Sequence, residues 1–236
     1  MAVQYSADTF VVNHSFVLRI NIYGERRPPS PNAGTFAVII ENPLQQMTEL
    51  EQYIKSYFGV VDADELKTIV ELFALTTIKK GDFLLKAGRR CENLSFVQSG
   101  LLRMYITTDE KEITQWISTK GYFSTDLSSF VFETASRLSI QALTDTEVYS
   151  ISKADYKKIA QLVPKWHELE KLFIVRCFII LEERIFSHLS MTAEERYDYF
   201  FEKNRELFSQ VPLQYIASML GMTPETFSRI RKKQLL

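Results

Sequence analysis

The sequence predicts an α+β fold: an N-terminal antiparallel β-roll of the jelly-roll kind, a long helix, and a small C-terminal helix-turn-helix unit. Three observations predict it. Between Thr76 and Ile151, short β-rich runs are punctuated by Gly81, Gly88, Gly100 and Gly121, a spacing that suits a sandwich or roll rather than a parallel sheet. From Pro164 to about Leu189, neither Gly nor Pro interrupts a helical stretch. Between Pro212 and Lys233, two short helical segments are split by Gly221.

In chain order, residues 1–46 do not resemble the rest. Strand-like pieces such as Phe16-Val17-Leu18 and Val38-Ile39-Ile40 surround a proline-rich turn at Arg27-Pro28-Pro29-Ser30-Pro31. Met47 opens a segment with clear helix grammar, because Thr48-Glu49-Leu50-Glu51 is a capping box. Two readings stay open for residues 1–46: upstream sequence ahead of a biological start at Met47, or a mobile arm. Asp62, with Glu65 three residues on, caps a second helix whose Leu66, Ile69, Val70 and Phe73 share a face. The strands are expected over Phe83–Leu85, Leu94–Gln98, Leu101–Ile106, Glu112–Ile117, Leu138–Ala142 and Glu147–Ile151. Ser152 and Asp155 then cap a helix that Pro164 ends.

The long helix is apolar almost all the way round between Leu172 and Leu181, so every side of it must be covered. One face can pack on the roll. Leu172, Val175, Ile179, Phe186 and Leu189 follow a 3-4 spacing, interrupted by Glu182, that suits a dimerisation seam with a second copy. The bland reading buries the helix wholly within one subunit. Thr192 and Glu195 cap the first helix of the C-terminal unit. The units predicted are 47–163 for the roll, 164–190 for the dimerisation helix and 191–236 for the helix-turn-helix.

In that last unit, Pro212 suits a first helical position, Gly221 a left-handed C-terminal residue, and Thr223-Pro224 an N-cap followed by proline. Ala217 is small where the helices approach, and Ile216, Leu220, Met222, Phe227 and Ile230 face inward. Outward remain Glu225, Thr226, Ser228, Arg229, Arg231 and Lys232, followed by Lys233, a set that can bond to base edges and neutralise phosphates. The segment from Val211 to Leu236 has a local excess of +3, while the whole chain is at −1, so basic charge is focused here.

At 236 residues, 46% hydrophobic and 24% charged, the chain is long enough for a sizeable core and two domains, and it is neither fibrous nor disordered in composition. No apolar run reaches the roughly 20 residues of a membrane helix and no leader pattern is present, which predicts a cytoplasmic protein with no membrane partner. Cys91 and Cys177 cannot form a cluster site, and His14, His167 and His188 have no ligand spacing, so no metal is expected. An enzyme on a cupin-like barrel is disfavoured, because no histidine lies between His14 and His167. Cys91 reads as a turn residue rather than a sensor, and His188 as a capping cation rather than a haem ligand.

The order of these parts, with Lys80-Gly81-Asp82-Phe83-Leu84-Leu85-Lys86-Ala87-Gly88, Phe96-Val97-Gln98-Ser99-Gly100-Leu101-Leu102-Arg103, Lys120-Gly121-Tyr122-Phe123 and Pro224-Glu225-Thr226-Phe227-Ser228-Arg229-Ile230, resembles the Crp/Fnr family of bacterial transcription regulators from Met47 onward. It looks most like that family's compact Bacteroidetes-type branch. The resemblance implies a sensor roll, a homodimer, double-stranded DNA as partner, RNA polymerase as a further candidate partner, and base reading by Glu225 and Arg229 at two half-sites. A carboxylate accepts from cytosine N4, and arginine pairs with guanine O6 and N7. Pro224 stands where the family's cyclic AMP receptor protein has an arginine, so the target sequence should differ. With Leu236 last, no β-wing follows, and fewer backbone contacts are implied.

Cyclic-nucleotide-binding members of that family use a Gly-Glu pair and an Arg-Ser pair, for which the positions here are Thr125-Asp126 and Ser136-Arg137. The carboxylate is one methylene shorter, the glycine is gone, and the arginine is displaced by one, which on extended backbone turns it to the opposite face. These four are the candidate effector residues, and no cofactor is expected; an adjustment around Glu133 to Ala135 is the route by which cyclic-nucleotide binding could survive. The competing functional reading is a small-molecule-binding module whose C-terminal helices mediate protein contacts.

Overall fold

The computed structural model describes residues 48–59 and 62–234, so both readings of residues 1–46 lie outside it. Two helices lead in. Helix α1 (Glu49–Phe58) carries the Thr48/Glu51 capping box and α2 (Ala63–Val70) the Asp62/Glu65 box, each with both reciprocal bonds formed.

The roll consists of two four-stranded antiparallel sheets. Strands β1 (Ala74–Ile78), β8 (Thr146–Ser152), β3 (Asn93–Ser99) and β6 (Phe123–Ser124) form one in that order; β2 (Phe83–Leu85), β7 (Ser139–Ala142), β4 (Leu102–Thr107) and β5 (Glu112–Ser118) form the other. The expected strands are all there. Strand β1 and the two-residue β6 are additions to that reading, and β6 is too short to show a period of two. The β3–β4 corner requires glycine: Gly100 has φ +87°, and a Cβ there would lie 2.5 Å from the Asp145 carbonyl oxygen. Helix α3 (Leu127–Phe132) crosses from β6 toward β7, capped by Asp126 and ended by Glu133 in the left-handed region.

The main core draws on both sheets and on α1, α2, α4 (Lys153–Leu162) and α5 (Trp166–Ser190). Phe58 stacks on Trp166 and Phe173, and Phe123 meets Tyr57, Phe58 and Phe96 edge to face. Helix α5 has neither Gly nor Pro in its 25 residues and buries only the Trp166, Leu169 and Phe173 side.

A second core contains the C-terminal unit: α6 (Ala193–Lys203, with its Thr192/Glu195 box), α7 (Leu207–Gln210), α8 (Leu213–Met219) and α9 (Pro224–Gln234). It is continuous with the roll, because Leu101 and Ile117 belong to the same buried cluster as Tyr197, Ile216, Phe227 and Ile230. One correction concerns the start of α8. Pro212 is its N-cap rather than its first residue, since an extended ψ of 124° continues the extended Val211 before it.

Candidate nucleic-acid interface and roll cavities

The α8–α9 turn forms from residues that can take its angles. Gly221 has φ +68°, the Met222 amide donates to the Ala217 carbonyl (2.9 Å) and the Gly221 amide to that of Ser218 (3.1 Å), which satisfies carbonyls that end the helix. Ala217 is fully buried at the crossing. The Thr223 hydroxyl accepts from the Thr226 amide at 3.2 Å, the N-cap bond of α9. Phe227 and Ile230 anchor α9 inward, Phe227 against Tyr197 and Phe208.

The seven charged and polar positions named from sequence then separate. Glu225, Ser228, Arg229 and Lys232 are exposed and, at spacings of three and four, share one face. Thr226 is half-buried with its hydroxyl bonded to that of Thr223. Arg231 is half-buried beside Tyr197. Lys233 is turned back onto Glu194 of α6 at 2.7 Å, and the next residue, Gln234, donates to Asp198. Lys233 remains largely exposed but paired, because the C-terminal turn of α9 lies against an acidic helix. Glu225 is held below the ordinary carboxylate range by its own backbone amide and then by the Thr223 hydroxyl, so it is an ionised acceptor at neutral pH.

Leu172, Val175, Ile179, Phe186 and Leu189 are all exposed on α5. Beside them runs a second exposed column, Ile174, Phe178, Leu181 and Ile185, which no charged residue interrupts. The two columns make one broad apolar stripe, wider than the seam read from sequence.

In the roll, three of the four candidate effector residues divide between two cavities. One cavity of about 320 Å³ is lined by Thr125 with Lys86, Arg89, Arg90 and Ser124; another of about 300 Å³ by Asp126 and Arg137 with Ile106 and Gln115. The Thr125 hydroxyl donates to the Asn93 carbonyl. Asp126 accepts from the Ser129 amide, capping α3, and from the Ser136 hydroxyl at 2.7 Å. Ser136 is buried and Arg137 exposed, the opposite-face outcome that a one-residue shift demands. The reading of these four as one pocket is corrected for Thr125, which lines a different cavity from Asp126 and Arg137, and the Asp126 carboxylate is engaged as a helix cap. Cys91 is buried beneath this region with its thiol 3.3 Å from Thr125, and His188 bonds the Arg184 carbonyl near the end of α5.

Sequence reasoning missed two arginines. Arg103 is only 2% exposed and lies between the Tyr105 and Tyr215 rings, while Arg184 donates to carbonyls of Gln115 and Met219. Burial holds Arg184 below its ordinary pKa. An arginine on the same strand face as Tyr105 and Thr107 reads as a solvent face, and nothing local signals that α8 covers it.

Comparison with known proteins assigns the roll. Residues 75–162 match the model of the family described as cyclic nucleotide-binding domain. That match spans the two sheets of the roll. The cyclic nucleotide-binding domain and the helices after it share their architecture with Crp/Fnr-family transcription regulators. FixK2 from Bradyrhizobium japonicum aligns with a TM-score of 0.57 at 20% identity over 68% of this chain and 83% of that one. The c-di-GMP-responsive global regulator CLP of Xanthomonas campestris aligns with 0.55 at 16% over 74% and 92%. A cAMP-bound PfPKA-R aligns with 0.43 at 15%, over 47% of this chain, which spans 40% of that one. At these identities the likeness is one of fold. No curated protein matches the chain in sequence. Among the described residues, no helix is long and apolar enough to cross a membrane.

Proposed function

We propose that this chain is a cytoplasmic, homodimeric, sequence-specific DNA-binding transcription regulator of the Crp/Fnr type. The observation that carries the reading is the outward face of α9: Glu225, Ser228, Arg229 and Lys232 exposed together on a helix whose opposite face is locked into a core. An acceptor, a bidentate donor and a phosphate-neutralising cation at one-turn spacing are the groups needed to read base edges and hold a backbone in the major groove. The apolar stripe of α5 supports pairing with a second copy, which gives two reader helices related by a twofold axis and an inverted-repeat operator. In this reading, residues 47–163 sense, 164–190 pair the protomers and 191–236 bind DNA.

The roll is read here as a sensor that does not use a cyclic nucleotide. A cyclic nucleotide needs an arginine against its phosphate and a free carboxylate for its ribose hydroxyl, whereas the Asp126 carboxylate beside Arg137 is bonded to Ser129 and Ser136, and Thr125 lines a different cavity. Titration calorimetry with cyclic AMP should give no binding heat. The DNA reading is tested by selecting genomic fragments with the purified protein and repeating the selection with Arg229→Ala. Wild type should recover an inverted repeat, and the variant should relax one symmetric base-pair position in it.

A further inference from the structure

Helix α8 is fastened to the roll as well as to its own unit. At its N-terminal end, the Tyr215 ring covers the Arg103 guanidinium at 3.6 Å; Tyr105 covers the same group at 4.2 Å. Arg103 is fixed by Glu112 (2.6 Å) and by the Thr114 hydroxyl (2.9 Å). One turn on, the Ser218 hydroxyl accepts from the Thr114 amide at 2.9 Å, so α8 covers β5, the edge strand of its sheet. At its C-terminal end, Arg184 of α5 donates to the Met219 carbonyl (3.1 Å), and Arg196 of α6 to the Leu220 carbonyl (3.1 Å), where helix carbonyls lack internal partners.

We infer that the Arg103–Tyr215 clasp is a positioning device that sets the distance between the two reader helices, and hence the half-site spacing the dimer accepts. The inference rests on the DNA-binding reading above. Contacts along α8 to three elements (β4 through Arg103, β5 through Thr114, α5 through Arg184) leave it no axis about which to pivot. Helix α9 follows α8, because Phe227 and Ile230 share a core with Ile216 and Ala217. The apolar stripe of α5 pairs the protomers, so the route from one reader helix to the other runs through these contacts. Without the clasp, α8 keeps its Ser218–Thr114 bond to β5 and its contacts to α5 and α6 but loses the polar anchor at its N-terminal end. Each base pair inserted between half-sites turns one against the other by about 35°, a change that a rigid pair of readers cannot follow.

The test uses the full chain and a series of inverted repeats with the selected half-site, spaced from two base pairs below the best spacing to two above it. Wild type should lose roughly tenfold or more in affinity at two base pairs from its optimum. Arg103→Met and, separately, Tyr215→Leu, which leaves the Arg103–Glu112 pair intact, should lose less than about threefold over the same step, because the freed readers can adjust. Arg229→Ala should keep the wild-type spacing profile while losing base discrimination. Spacing profiles in the Arg103 and Tyr215 variants that parallel wild type would overturn the inference. If wild type itself shows no preference for an inverted repeat, the DNA reading fails instead.

Discussion

Phe178 on α5 gives the account a quantitative footing. It is 63% exposed in the single chain, midway along the uninterrupted column Ile174, Phe178, Leu181, Ile185. Complete burial of a phenylalanine side chain contributes about 1.5 to 3 kcal/mol, so covering its exposed part contributes about 1 to 2 kcal/mol per protomer. A twofold interface contains the residue twice, and Phe178→Ala should therefore weaken the dimer by about 2 to 4 kcal/mol, roughly 30- to 1000-fold in dissociation constant. Sedimentation equilibrium over a dilution series measures this directly. Phe132→Ala is the control: Phe132 is 74% exposed, but on α3, and its removal should leave the dimer constant where it was. Equal effects of the two substitutions, or no effect of the first in a chain that still folds, would refute the assignment of the stripe to self-association.

Other expectations concern the reader helix and the roll. Arg229→Ala should cost about 1 to 3 kcal/mol on the selected operator and relax one base position, while Lys232→Ala should weaken all DNA alike and flatten the salt dependence by about one charge. Lys233→Ala should do less than Lys232→Ala in the same binding assay, because its ammonium is already paired with Glu194. Gly100→Ala should lower the melting temperature by a margin consistent with about 1 to 3 kcal/mol of backbone strain, with the clash against Asp145 adding to it; an unchanged melt would contradict the turn geometry. Glu225 should titrate below the ordinary glutamate value by NMR. Because its folded-state pKa is depressed, its contribution to α9 is present above the unfolded value and is lost as pH falls through the folded one.

Much of this architecture is legible in the sequence because the chain marks its own boundaries. Thr48, Asp62, Ser152 and Thr192 each cap the helix that their spacing to the acid three residues on predicts, and Gly100 and Gly221 take the positive φ that only glycine adopts without strain. Where local chemistry carries no mark, the reading thins. Strand β6 has two residues and α7 four, below the length at which periodicity exists. On α5, two adjacent apolar columns satisfy the same 3-4 spacing, and periodicity alone picked the one containing Glu182 and passed over Ile174, Phe178, Leu181 and Ile185. On α9, the pattern separates inward from outward positions, but the ion pair that holds Lys233 depends on α6 lying alongside. Arg103 is the plainest case: its burial comes from a helix more than a hundred residues later, and no window of sequence contains both. The effector residues illustrate the converse. The one-residue displacement of Arg137 follows from strand register alone, yet the engagement of Asp126 by Ser136 emerges only once α3 is folded between them.

The central claim is that α9 holds duplex DNA through its outward face. Its most direct test is a salt titration of wild-type binding to the best fragment recovered by selection, beside the same titration on random DNA. Binding driven by phosphate neutralisation falls linearly in log–log form with a steep negative slope, and the selected fragment should remain at least about a thousandfold tighter than random DNA at physiological salt. Recovery of no preferred fragment, or an affinity indifferent to salt, would contradict the account.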